Sequence, residues 1–168
     1  MSASAYPEQA LRPFLPADAP LLAEIFRASI EEIAGDDYDP AQQDAWASAA
    51  DDEEAFAQKL AGQLTLVATL GGSAVGFASL EDNRHVDMLY VHPSVTGRGI
   101  ATMLCEALEK LAGARGTKRI SVDASDTATG FFEKRGYVAQ QRNTVSRGGE
   151  WLANTTMAKQ LTSEGSER

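Results

Sequence analysis

Val86-Asp87-Met88-Leu89-Tyr90-Val91-His92-Pro93-Ser94-Val95-Thr96-Gly97-Arg98-Gly99-Ile100-Ala101 is the stretch whose reading decides the fold. Residues 85–91 read as a strand, and His92-Pro93 ends it, because proline donates nothing to a ladder and restricts the residue before it. After a loop over residues 94–97, Ile100, Met103, Leu104, Ala107, Leu108 and Leu111 recur at spacings of three and four. That spacing makes a helix with one stripe for packing on a sheet. Strand, glycine turn and helix start together form a concave array of free amides. Such an array binds phosphate oxygens through hydrogen bonds and the positive end of the helix dipole. Gly97 and Gly99 let a pyrophosphate approach the backbone, Ala101 keeps the rim low, and Arg98 can add a charge-assisted contact. On the residues alone, the glycines serve equally to make a tight turn, and Ala101 to bring helix and strand close. A dinucleotide-binding loop would need a third glycine where Thr102 stands, and a kinase-type phosphate loop would need Gly-Lys-Ser or Gly-Lys-Thr, which is absent.

Upstream, residues 10–15 read as an edge strand carrying Arg12-Pro13. Asp18 is placed to cap a helix bearing Leu21, Leu22, Ile25, Phe26 and Ile33, which ends near Gly35. Pro40 opens a short helix carrying Ala45 and Trp46, and residues 51–61 form a third helix closed by Gly62. Residues 64–70 and 74–81 flank Gly71-Gly72, a hairpin signal. Downstream, residues 118–123 read as a strand, residues 125–135 as a helix stopped by Gly136, and residues 137–146 and 150–159 as a second hairpin. The expectation is an α/β (α+β) domain over residues 10–160, with residues 1–9 and 161–168 as flexible ends.

The chain of 168 residues is 43% apolar and 23% charged, ordinary for one globular domain. Its net charge of -9 argues against a nucleic-acid partner, because that binding draws on Lys and Arg neutralising phosphates. The same charge favours a cationic or neutral ligand. No apolar stretch approaches a membrane span and residues 1–7 carry no leader pattern, so a cytoplasmic protein without a membrane partner is expected. Cys105, the single cysteine, falls beside the apolar stripe of its helix and reads as a buried inert thiol. His85 and His92 lack partners at metal-ligand spacing, so no metal is expected.

These motifs resemble those of the GNAT superfamily of N-acetyltransferases, and the resemblance runs over nearly the whole domain. Leu89-Tyr90-Val91-His92-Pro93 with Gly97-Arg98-Gly99-Ile100-Ala101 is similar to its acetyl-CoA motif, and Ser125-Asp126-Thr127-Ala128-Thr129-Gly130-Phe131-Phe132 with Gly136-Tyr137 to the helix and turn that follow. Gln141-Arg142-Asn143, Trp151, Asn154 and Met157, with Tyr38-Asp39-Pro40 and Trp46, resemble the branch that includes the YafP protein.

The resemblance implies a mixed, mainly antiparallel sheet of six or seven strands, flanked by about four helices, with a splayed central strand pair. It implies acetyl-CoA as cosubstrate and direct transfer to an amine of a small molecule or peptide. Leu89, Tyr90, Val91, Thr96, Gly97, Arg98, Gly99, Ile100, Ala101, Thr102, Ser125 and Phe132 would then contact the coenzyme. A backbone amide near Val91 would polarise the thioester carbonyl. Tyr38 and Trp46 fall where this family builds its acceptor wall, although local packing explains them equally. Phe132 stands where the family usually carries the Tyr that protonates the departing thiolate, which leaves water or Tyr137 for that task. Asp87, ahead of His85, is the candidate to accept the amine proton, the two lying on one strand face if the strand is regular. A catalytically weak acyl-CoA-binding regulatory module is the alternative reading. Association as a homodimer is a further open expectation.

Overall fold

The computed structural model describes residues 8–161. Seven strands form one sheet in the order β1-β2-β3-β4-β5-β7-β6. They are β1 (Gln9–Pro13), β2 (Leu64–Leu70), β3 (Ser73–Glu81), β4 (His85–Val91), β5 (Arg119–Ser125), β6 (Val138–Arg147) and β7 (Glu150–Gln160). Five α-helices accompany them: α1 (Ala19–Ile33), α2 (Pro40–Ala47), α3 (Glu53–Ala61), α4 (Ile100–Ala114) and α5 (Thr129–Lys134). Every neighbouring strand pair is antiparallel except β4 and β5, which run parallel.

The sheet is covered on both faces, which explains why β2 reads Leu-Thr-Leu-Val-Ala-Thr-Leu without polar alternation. On one face α4 sets Ile100, Leu104, Cys105, Leu108 and Ala112 against Ala78, Leu80, Ile120, Val122 and Met157. On the other, Leu22, Ile25 and Phe26 of α1 and Phe56 and Leu60 of α3 pack on Val67, Phe77 and Met88. Close approach of α4 depends on Gly76, where an added Cβ would sit 3.0 Å from the Tyr90 carbonyl oxygen and 3.3 Å from Ile100 Cγ2.

Several local expectations shift. Asp18 does not cap α1 with its side chain: its carboxylate accepts the Leu15 amide at 2.8 Å and holds the Arg12 guanidinium at 2.7 and 2.8 Å. It closes the turn before the helix instead, and the paired guanidinium lowers its pKa. The side-chain caps are at Asp39, which makes a reciprocal box with Gln42, and at Asp52, which accepts the Ala55 amide at 3.1 Å. Residues 125–135 are not one helix. Ser125 ends β5 in register with Asn154, a turn follows, and α5 occupies only Thr129–Lys134. Gln9, expected within a flexible end, pairs with Leu70, while the other expected flexible residues, apart from Glu8 and Leu161, lie outside the described ones.

Candidate active site

Two irregularities of β4 create the site. Ser79 faces Met88 and Leu80 faces Val86, so Asp87 is an extra residue in β4, a bulge. The bulge breaks the alternation: Val86 joins the core beneath α4, whereas Met88, two residues on, joins the core beneath α1. Beyond it, β4 and β5 separate. Their pairing is confined to His85 with Ser121 and Val86 with Val122. The His92 amide donates to Val75 on β3 at 2.8 Å, so strand alternation turns the Tyr90 and Met88 backbone to β3 and leaves that of Leu89 and Val91 facing the gap.

A cleft of about 620 Å³ fills that gap and continues to the start of α4. Thr96, Gly97, Gly99, Ile100, Ala101 and Thr102 line it. Gly97 and Gly99 take φ of +84° and +80°, the left-handed region where a side chain is strained, and an added Cβ at either meets nothing within 4 Å. The helix starts at Ile100 with no side-chain cap, so its first amides have no intrahelical acceptor and open on the cleft. Leu89, Tyr90, Val91, Ser125 and Phe132 complete this part of the wall. Arg98 does not: its side chain lies outside the lining, and its carbonyl accepts Gln9 Nε2 at 3.1 Å.

Tyr38 and Trp46 also line the cleft. Tyr38 is buried, its hydroxyl donating to the Ala153 carbonyl at 2.6 Å and accepting the Asp126 amide at 2.9 Å, and burial raises its pKa. It thereby ties the segment before α2 to β7 and to the turn after β5. Its ring meets Trp46 edge to face at 5.4 Å, and Trp46 Nε1 donates to the Tyr90 hydroxyl at 3.2 Å. Wall and local packing are therefore served by the same residues.

His85 and Asp87 both line the cleft despite the bulge. Asp87 is engaged by Gln63 Nε2 at 3.1 Å and Lys59 Nζ at 3.3 Å. His85 Nδ1 lies 2.7 Å from Ser121 Oγ, while Nε2 stands 3.6 Å from Asp123 Oδ2, beyond a good hydrogen bond. The imidazole also borders a second cavity lined by Glu81, Arg84, Arg119 and Ser121.

Tyr137 is not brought to the cleft. It is buried behind Phe132, the ring centroids 5.0 Å apart, and its hydroxyl donates to Glu109 Oε2 at 2.9 Å. Burial, with the nearby Cys105 and Glu109, raises its pKa strongly. Glu109 also receives Arg135 at 2.8 Å and Lys159 at 3.0 Å, so Tyr137 is part of an ion cluster joining α4, the end of α5 and β7. Cys105 is fully buried beside it, and burial pushes its thiol up to about 11, as suits an inert side chain.

Residues absent from the sequence-based site also line the cleft: Ser29 of α1, Asp123 of β5, Arg147 of β6 and Asn154 of β7. Asn154 falls in the stretch that resembles the YafP-containing branch, without a role there, and the other three lie in no local motif. Asp123, Arg147 and Asn154 stand on strands whose neighbours depend on the sheet order, and Ser29 stands on a helix face that only the tertiary packing turns to the cleft.

The fold and site define an acetyltransferase of the GNAT class. Residues 34–161 match the family described as acetyltransferase (GNAT) domain, and the chain belongs to that family and is an acyltransferase. Among its relatives it is 35% identical over 147 residues to the uncharacterized N-acetyltransferase YafP of Escherichia coli (strain K12), covering 88% of this chain and 93% of that one. The crystal structure of a GCN5-related N-acetyltransferase from Rhodopseudomonas palustris is 62% identical with a TM-score of 0.91, covering 95% of this chain and all of that chain. The PaiA N-acetyltransferase of Thermoplasma acidophilum, solved in complex with coenzyme A, shares the fold with a TM-score of 0.75 at 18% identity, covering 91% of this chain and 99% of that chain.

No helix among the described residues is long and apolar enough to cross a membrane.

Proposed function

We propose that the protein transfers acetyl from acetyl-CoA directly to an amine. The observation that carries this reading is the single cleft joining an uncapped helix start to a pair of splayed strands. The pyrophosphate fits the first: the amides of Ile100, Ala101 and Thr102 supply donors, and Gly97 and Gly99 remove the side chains that would block approach. The pantetheine and thioester fit the second, where Leu89 and Val91 offer unpaired backbone groups. One of their amides acts as the oxyanion donor, worth most where water is excluded.

The neutral amine attacks the thioester carbonyl carbon, a C–N bond forms, and the C–S bond breaks. The nitrogen gives up its proton to His85, and the coenzyme thiolate takes one from water. His85 is preferred to Asp87 because Lys59 and Gln63 already hold the Asp87 carboxylate, whereas His85 Nε2 makes no good hydrogen bond. An imidazole suits proton transfer at neutral pH. Ser121 orients the ring, and the second cavity beside it offers the proton a way out.

Two measurements test the reading together: calorimetric titration with acetyl-CoA, and release of free coenzyme thiol with a panel of amines. Tight binding with amine-dependent thiol release is the expected result. Lack of acetyl-CoA affinity in the folded protein would sink it.

A further inference from the structure

Among the described residues, Arg147 is the only Lys or Arg that lines the cleft. The other basic side chains that approach the site are engaged: Lys59 with Asp87, and Arg142 with Asp126 through two contacts. Arg147 has no hydrogen bond or ion pair among the described residues, although Glu150 stands opposite it in the β6–β7 hairpin and the chain carries 24 acidic residues. The hairpin tip is seated on α2, an added Cβ at Gly148 lying 3.2 Å from Ala45 Cβ, so the guanidinium is presented from an anchored turn.

Its position assigns it to the acceptor end rather than to the coenzyme phosphates. Burial raises the pKa of the Tyr90 hydroxyl, the Asp87 charge adds to this, and Arg147 acts in the opposite sense. Arg147 directly precedes the Gly148 turn that meets Ala45 on α2, next to Trp46, whose Nε1 donates to that hydroxyl. The Tyr90 ring packs on Phe26 at 4.7 Å and Phe77 at 5.8 Å, in the core beneath α1. The phosphate-binding turn belongs to α4, on the other face of the sheet.

The cleft therefore carries both signs of charge: the half-exposed Asp123, whose Oδ1 accepts Thr156 Oγ1 at 2.6 Å and whose Oδ2 faces His85, and the exposed Arg147. Tyr38, Trp46 and Tyr90 form an aromatic wall of the same cleft. We infer that the acceptor is a carboxylate-bearing amine of the amino-acid type, its ammonium received near Asp123 and its carboxylate paired with Arg147. Such a ligand carries no net charge, so the protein's own charge of -9 does not repel it. The guanidinium fork matches a carboxylate in two parallel hydrogen bonds, whereas a diamine or polyamine would place positive charge against it.

This inference rests on the transferase reading, and the experiment separates the two. Phenylalanine is compared with phenylethylamine, and tyrosine with tyramine, pairs that differ by the carboxylate alone. Thiol release gives kcat/KM for each, and calorimetry on the coenzyme A complex gives acceptor affinity independently of turnover. The wild-type protein should prefer the carboxylated member of each pair, by about tenfold or more for a charge-assisted contact. Arg147→Gln should erase most of that ratio through KM, and Arg147→Lys should restore part of it. Equal or better use of the amines that lack the carboxylate would overturn the inference, as would an unchanged ratio in Arg147→Gln. A loss confined to acetyl-CoA affinity in Arg147→Gln would also overturn it, by moving the residue to the coenzyme. Absence of acetyl-CoA binding in the wild type is a different result and defeats the transferase reading itself.

Discussion

The proposed coenzyme half of the cleft comes mainly from one run, residues 89–102, while the proposed acceptor half draws Ser29, Tyr38, Trp46, Arg147 and Asn154 from five separate places in the chain. In the first half the groups on offer are backbone: amides at a helix start and on a bulged strand, exposed because glycines leave room. In the second they are side chains whose positions depend on the order of the sheet. A backbone site tolerates many side chains but fails when its geometry is blocked. A side-chain site loses function in proportion to the contact removed.

Gly99→Glu is the severest test of this contrast. The substitution puts a side chain at φ +80° and a negative charge where the pyrophosphate is proposed to sit. Acetyl-CoA affinity should fall by at least about a hundredfold, since an unpaired anion replaces part of an anion site. Space is not the obstacle, because nothing lies within 4 Å of the added Cβ, so the fold should survive with a modest loss of stability. Calorimetry with near-native circular dichroism checks both parts. Unaltered affinity would remove the glycine turn from the coenzyme site.

His85→Gln should lower kcat/KM at neutral pH by about a hundredfold, within the usual span for a general base. It should also flatten the rise of kcat/KM with pH, while acetyl-CoA affinity changes little. Asp87→Asn should leave that rise in place. The opposite pattern would move the base to Asp87, and two unaltered profiles would remove both residues from proton transfer.

Tyr38→Phe removes the hydroxyl that bridges Ala153 and Asp126. The ring stays, but the brace between the segment before α2 and the β5 and β7 ends is lost. Acceptor KM should rise by about tenfold, equivalent to one hydrogen bond of ordinary strength, while acetyl-CoA binding stays within about twofold. A larger effect on the coenzyme than on the acceptor would mean that the two halves are not separate.

That separation also explains what was legible in advance. β4 from His85 to Val91, the Gly71-Gly72 hairpin and the apolar stripe of α4 follow from local periodicity and turn chemistry, and the structure places them as read. So does the conformation of the glycine turn, where Gly97 and Gly99 take positive φ. Arg147 and Asp123 were not legible, because their neighbours are set by β7 inserting between β5 and β6. Asp18 misled for a related reason: an acid before a helix resembles a cap, but Arg12 on the adjoining strand claims it. Tyr137 is kept from the cleft by Glu109, 28 residues away in sequence, which holds its hydroxyl in the core.

Tyr137→Phe should accordingly have the smallest effect on activity of the variants considered, with turnover within about twofold of wild type, because the hydroxyl faces Glu109 and not the cleft. Stability should drop by about 1–2 kcal/mol for a lost hydrogen bond to a carboxylate, a fall in Tm of about 2–8 °C for a chain of this size. The loss should depend on pH. Burial raises the Glu109 pKa, but hydrogen bonds from Arg135, Lys159 and Tyr137 outweigh it, and the net shift is below the ordinary value of 4.5. A carboxyl group with a depressed folded-state pKa stabilises the protein above its unfolded pKa, and that stability disappears as pH falls through the folded value. Wild type and Tyr137→Phe should therefore differ in thermal melts at pH 7 and converge as the pH falls below the ordinary carboxylate value of 4.5 and through the lower folded-state value. Glu109→Gln should show a shallower loss of stability over that acid range than wild type. A parallel pH dependence in all three proteins would show that the cluster contributes little, and a large fall in turnover for Tyr137→Phe at unchanged stability would return the phenol to the chemistry.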